Sequence, residues 1–312
     1  MAENGMANGG NLVDERFELV SLVFRLAGDS KYGVADTGYQ RELDSRFDAH
    51  KRHPVVEYAR QNLGFGYDAV FNMAVHLEKA GGGFALVGNI GYLLDDKWSP
   101  RWNRENANTF VELLNDFYAD AGFAGFFAEH SGLYAELSES FGRDYLGRFN
   151  FKWFEAHGVN PGSLKVVLSP AGNNDGYGSI VYGAGPCDSV AYAALCVPEV
   201  YPKDHKDYND HASYCVSALA CLFAYSFAGP VAKALYAENE EFRKWCDDSV
   251  DLALLPSCPD GQAVAYRYAA TAYGAMYMAE NAETGVELVL GMYKENGLAH
   301  IEDVYALISK TK

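Results

Sequence analysis

The stretch LACLFAYSFAGP, Leu219 to Pro230, decides how the second half of this chain is read. It has helical length and carries no charge, no histidine and no metal ligand except the thiol of Cys221. Leu219, Leu222, Phe223 and Phe227 fall on one face of a helix. Ser217, Cys221, Tyr225 and Ala228 fall on another. A helix apolar on every side is a buried helix, so these four large side chains are expected to lie in a core. Asp210 is placed to cap it, and Gly229-Pro230 to end it.

The pattern on either side is helical. FELVSLVFRLAG (17–28) reads as a helix closed by Gly28. TGYQRELDSRFDAHKRHPVVEYARQNLG (37–64) reads as two helices broken near Pro54. GYDAVFNMAVHLEKAGGG (66–83) reads as one helix stopped by its glycines. In RENANTFVELLNDFYADAGFAGFF (104–127), Phe110, Leu113, Leu114 and Phe117 recur at helical spacing. After Pro161 the texture changes. SLKVVLSP and SIVYGAG are short β-like runs around the turn cluster AGNNDGYG, and SVAYAALCVPEV holds a third. The expected fold is α+β and predominantly helical. It comprises an N-terminus disordered over 1–11, a helical region over 12–160, and a region over 161–312. That last region holds a small antiparallel or mixed sheet at 163–200, the bland helix at 210–228, and further helices.

Composition limits the function. The 312 residues hold 25 basic and 42 acidic side chains, a net charge of −17, which repels phosphate backbones and anionic lipid. No nucleic-acid partner is expected, and no uninterrupted apolar run long enough to span a membrane is present. MAENGMANGG lacks a basic segment followed by an apolar one and is no secretory signal. A chain that begins here would be cytoplasmic; one whose leader was removed would be exported. The six cysteines (187, 196, 215, 221, 246 and 258) form no CxxC pair and read as buried thiols rather than zinc-finger ligands.

Other clusters each carry a plain alternative. His205 and His211, with Asp204, Asp207 and Asp210, suggest a metal site but fit a solvated loop with a helix cap. His211 and Cys215 are one turn apart, as a thiolate–imidazolium pair would be, without the surrounding signature of a cysteine nucleophile. AGNNDGYG lacks the Lys-Ser/Thr of a phosphate loop. The 22 tyrosines, 18 phenylalanines and Trp98 and Trp102 read as core, with stacking on a sugar as the alternative.

Taken in order, HPVVEYA, YDAVFNMAVHL, LLNDFYADAGFAGFF, WFEAHG, VVLSPAGNNDGYG and FAYSFAGP resemble a bacterial family of unassigned function related to gluzincin-type zinc peptidases. The resemblance covers roughly residues 15 to 310. In that family the zinc helix reads HExxHSF, then a short apolar run and Pro. Ser226, Phe227 and Pro230 match its tail. The resemblance then puts Cys221 at the first histidine, Leu222 at the general-base carboxylate, Tyr225 at the second histidine and, by the loosest alignment, Gln262 at the glutamate ligand. Leucine cannot take a proton from water, tyrosine is a rare ligand, and one thiol makes no tetrahedral site. The resemblance implies the fold and a substrate groove without the chemistry, so no cofactor or metal is expected. In such peptidases the segment before the metal helix pairs with the substrate backbone. By that analogy Asn173, Asn174, Asp175 and Tyr177 line a peptide groove, or form a plain hairpin turn. His76 is a groove residue or a satisfied core histidine. The expected function is a catalytically silent, peptide- or protein-binding module. The alternatives are a hydrolase using other residues and a helical structural protein without a pocket.

Overall fold

The computed structural model describes residues 11–29, 32, 37–61, 67–87, 102–172, 176–181, 190–197, 200, 201, 203–250, 260–281, 286–295 and 297–310. The chain is α+β and predominantly helical, with two small sheets. Apart from Asn11, the expectation for residues 1–11 lies outside the described residues, as do Trp98, Cys187 and Cys258.

Helix α1 (Glu15–Ala27) starts where the Asp14 carboxylate accepts the Arg16 N–H and ends at Gly28, whose φ of 83° lets its N–H turn back to Arg25. Phe17, Leu19, Val20, Leu22, Val23 and Phe24 are all fully buried, so α1 is surrounded on every side. Helices α2 (Gly38–Phe47) and α3 (Pro54–Gln61) follow, with α3 beginning at Pro54, where a missing N–H costs nothing.

The next segment differs from the expectation. Helix α4 (Tyr67–Val75) stops before His76, and the glycines do not end a helix. Instead, β1 (Leu77–Ala80) pairs antiparallel with β2 (Gly83–Leu86). Gly81 and Gly82 sit at φ of 58° and 89°, the doubly left-handed turn that matches hairpin twist and that glycine adopts without steric cost. Helix α5 (Arg104–Asp120) is opened by reciprocal side-chain bonds between Asn103 and Asn106. Its Asn115 side chain bonds both the N–H and the C=O of Phe84 (2.7 and 2.8 Å), acting as a further strand beside β2. Helices α6 (Phe123–Glu129), α7 (Ser131–Asp144) and α8 (Phe151–Ala156) complete this part.

The second sheet has the order β3 (Leu164–Leu168), β5 (Val190–Leu195), β4 (Gly176–Val181). β3 runs parallel to β5, and β4 antiparallel to it. Val13 adds a parallel bridge to Leu168, so the chain before α1 is tied to the sheet. Helix α9 (Tyr208–Glu238) packs against β4 and β5, and α4 against β4. α9 is longer than expected. It passes through Gly229-Pro230 instead of ending there, because proline removes only one backbone donor and the flanking packing holds the helix together. By length and composition α9 could cross a membrane, yet 56% of that window is buried inside the fold. Helices α10 (Glu240–Asp248), α11 (Gly261–Asn281), α12 (Val286–Glu295) and α13 (Ile301–Ser309) follow. α11 lies against α9 along much of its length, and one apolar core runs from Leu12 to Ile308 through both expected regions.

Candidate functional site

The site that the resemblance points to is built on α9. Leu219 and Phe223 are fully buried, while Leu222 and Phe227 are only partly so, so the expected four-residue buried face divides. The Phe223 and Phe227 side faces an aromatic wall formed by the WFEAHG segment and its neighbours. Phe223 meets Phe149 and Phe154 edge-on, and Phe227 meets Trp153, His157 and Tyr273. Two stretches that carry the resemblance are thus in contact, through rings rather than through ligands.

Cys221 and Tyr225 face α11. A Cβ placed on Gly274 would lie 2.2 Å from Cys221 Sγ and 2.9 Å from the Cys221 Cα and N, so the two helices touch backbone to side chain there. The Tyr293 hydroxyl of α12 donates to the Cys221 thiol, and burial pushes that thiol up to about 11. A thiol held in this way stays protonated at neutral pH and is a poor nucleophile. The Tyr225 ring lies 5.2 Å from that of Tyr266, whose hydroxyl donates to the Tyr225 carbonyl (2.5 Å) beside the Gly229-Pro230 step.

These contacts fix the register of the helix pair. Cys221 lies opposite Gly274, and Gly229 opposite Tyr266. The antiparallel pairing then puts Gln262 level with Lys233, about 12 Å along the axis from Tyr225 at 1.5 Å per residue, and its side chain is exposed. The structure therefore brings Cys221 and Tyr225 to one side of α9 and does not bring Gln262 to them. The residues opposite the ligand positions are small, Ala270, Thr271, Gly274 and Ala275, and none is a carboxylate. The four residues do not fit zinc: a protonated packed thiol, a leucine, a tyrosine and a distant amide offer no tetrahedral set. Among the described residues, no three His, Cys, Asp or Glu side chains gather in a way that would hold a metal ion.

Of the groove residues, Asn173, Asn174 and Asp175 lie outside the described residues, and Tyr177 lies in β4. His76 is buried at the end of α4. Its Nδ1 is 2.7 Å from the Asn72 carbonyl, its Nε2 has no hydrogen-bond partner among the described residues, and burial lowers its pKa. A neutral ring that donates from Nδ1 satisfies this arrangement. His211 and Cys215 form no ion pair. The Tyr145 hydroxyl accepts the Tyr201 N–H (3.2 Å) and directs its own proton to His211 Nδ1 (2.7 Å), and burial pushes Cys215 up to about 12. His205 stacks on Tyr201 at 4.3 Å.

Sequence reasoning misses a buried polar cluster centred on α1. Glu18, in the middle of α1, is 1% exposed. Its carboxylate accepts the Tyr39 hydroxyl (2.7 Å), the Ser169 hydroxyl (2.7 Å) and the Ala171 N–H (3.2 and 3.3 Å). Tyr39 is in turn 2.8 Å from the Tyr134 hydroxyl, and Ser169 is 3.3 Å from that of Ser21. Gln40 Nε2 donates to the carbonyls of Pro170 and Gly172 (3.0 and 2.8 Å), so α1 and α2 both grip the chain as it leaves β3. Burial raises the Glu18 carboxyl to about 7, outweighing the three donors that lower it. The available signal was one acid inside the apolar run FELVSLVF.

Family models, curated proteins and solved structures yield no significant match to the chain.

Proposed function

We propose that this chain binds an extended peptide or protein segment without cleaving it, on the plan of a zinc peptidase whose ligand helix has become core. One observation carries the reading. β4 is an antiparallel strand at the edge of its sheet. Among the described strands it lies at an edge, and in chain order it precedes β5 and α9, the place where the resemblance expects a substrate-pairing strand. An edge strand offers backbone donors and acceptors to a second strand, which is how sheets capture extended peptides. The helix behind it supplies packing in place of a general base, since Leu222 has no proton-accepting atom. Ser169, whose hydroxyl lies 2.7 Å from the Glu18 carboxylate, is fully buried and committed to it, which disfavours a hydrolase built on that pair.

A library of fluorescent extended peptides, followed by anisotropy, tests the reading. Binding should be found and should fall at least tenfold when alternate backbone nitrogens of the peptide are methylated, because strand pairing needs them. Mass spectrometry should recover the peptide intact. Binding that is indifferent to methylation, or no binding across the library, overturns the reading.

A further inference from the structure

The Glu18 cluster joins four pieces of the fold at one carboxylate. α1 provides Glu18 and Ser21, α2 provides Tyr39 and Gln40, α7 provides Tyr134, and the segment after β3 provides Ser169 and the Ala171 N–H. Its hydrogen bonds can run in either direction. With Glu18 ionised, Tyr39 and Ser169 both donate to it, each taking a proton in turn from Tyr134 and Ser21. With Glu18 protonated, its hydroxyl donates to Tyr39 and Tyr39 donates to Tyr134, so both links persist while the Tyr134 proton turns away from Tyr39. The Ala171 N–H weakens when its acceptor becomes neutral, but the cost of a buried charge disappears.

We propose that Glu18 is a proton-controlled fastening for the Ser169–Gly172 segment. With its proton on, the carboxyl stays buried and the segment stays closed on α1 and α2. With its proton off, the buried charge favours an opened arrangement in which water reaches the carboxylate. The sign follows from linkage. A closed state whose carboxyl titrates near 7, opening to one in which it titrates near 4.5, holds one more proton between those values. Opening is therefore rarest at low pH, rises by about tenfold per pH unit through this window, and levels off above it. Three residues separate the segment from β4 in the sequence, so on the peptide-binding reading the same proton acts beside the strand that captures the peptide.

Among the described residues, the buried Cys196 thiol packs against Gly172, and several other titratable or charged groups surround the cluster. Asp14 caps the start of α1, paired with Arg16 at 2.5 Å, and repels a charge on Glu18. Glu15 and Glu42 act on Tyr134. His130 lies against Tyr39 at 5.4 Å between ring centres, with its Nδ1 2.9 Å from the Phe126 carbonyl and its Nε2 3.3 Å from Glu42. Glu18 bonds the segment directly.

Hydrogen exchange of the full chain at pH 5.5, 6.5 and 7.5, corrected for the intrinsic pH dependence of exchange, reads the fastening in peptides covering Leu164–Gly172. The opened fraction should rise about tenfold from pH 5.5 to 6.5 and flatten above 7. In Glu18→Gln it should be independent of pH. In Tyr39→Phe, which removes a donor that favours the ionised form, the flattening should move to higher pH; this variant serves should Glu18→Gln not fold. An opened fraction in the wild type that ignores pH, or the same pH dependence in Glu18→Gln, overturns the proposal. Peptide binding is not needed for this readout, so its failure leaves the fastening intact and the converse also holds.

Discussion

At Gly274 the fit between α9 and α11 has no slack. The Cβ of any larger residue would meet Cys221 through its sulfur and its backbone, and backbone cannot rotate away. Gly274→Ala should cost about 1–3 kcal/mol, the range for overpacking a close contact. Cys221→Ala alone should cost less, because it removes only a small side chain. Combining the two should recover little, since the Cys221 Cα and N still stand 2.9 Å from the new methyl. Urea denaturation of the two single variants and the double gives these values directly; full recovery in the double variant would place the contact at the sulfur alone. Nothing in LACLFAY by itself indicates that Cys221 is a packing residue. That depends on the glycine of another helix, 53 positions later, and only the pairing of α9 with α11 reveals it.

The β1–β2 hairpin shows the same dependence on distant residues. HLEKAGGGFAL suits a helix ended by glycine as well as a two-residue turn, because Leu77 and Ala80 are three apart and also flank a strand. Asn115 settles the choice by binding both backbone groups of Phe84, and Gly83 leaves room for it, since a Cβ there would lie 2.5 Å from Asn115 Oδ1. Asn115→Ala should therefore cost about 1–3 kcal/mol, the penalty for leaving such groups without partners. It should also speed exchange of the Phe84 amide far more than amides in α11. Equal protection of Phe84 in both proteins would mean that the hairpin holds without this clamp. Pro230 illustrates the reverse error: a Gly-Pro step reads as a stop, but α9 continues through it to Glu238.

Across the whole molecule, the elements with one clear period were legible from residues alone. α1 and its Gly28 cap, α5 with Phe110 and Phe117, and the strands after Pro161 all follow from local patterns. The candidate site was less legible, because its meaning lies in which residues face one another. Cys221 and Tyr225 share a side of α9, as their spacing requires, while Gln262 is carried away by the antiparallel register with α11. Glu18 stayed hidden because its donors, Tyr39, Ser169 and Ala171, come from two separate segments. The central claim is that α9, onto which the proposed resemblance maps the zinc-ligand positions, is a core helix. Zinc content after exhaustive dialysis, measured on wild type and Cys221→Ala alongside a peptide-cleavage assay, tests it most directly. The account predicts far less than one zinc per chain and no metal-dependent cleavage in either protein. One zinc per chain that resists dialysis, supports cleavage and vanishes in Cys221→Ala would contradict it.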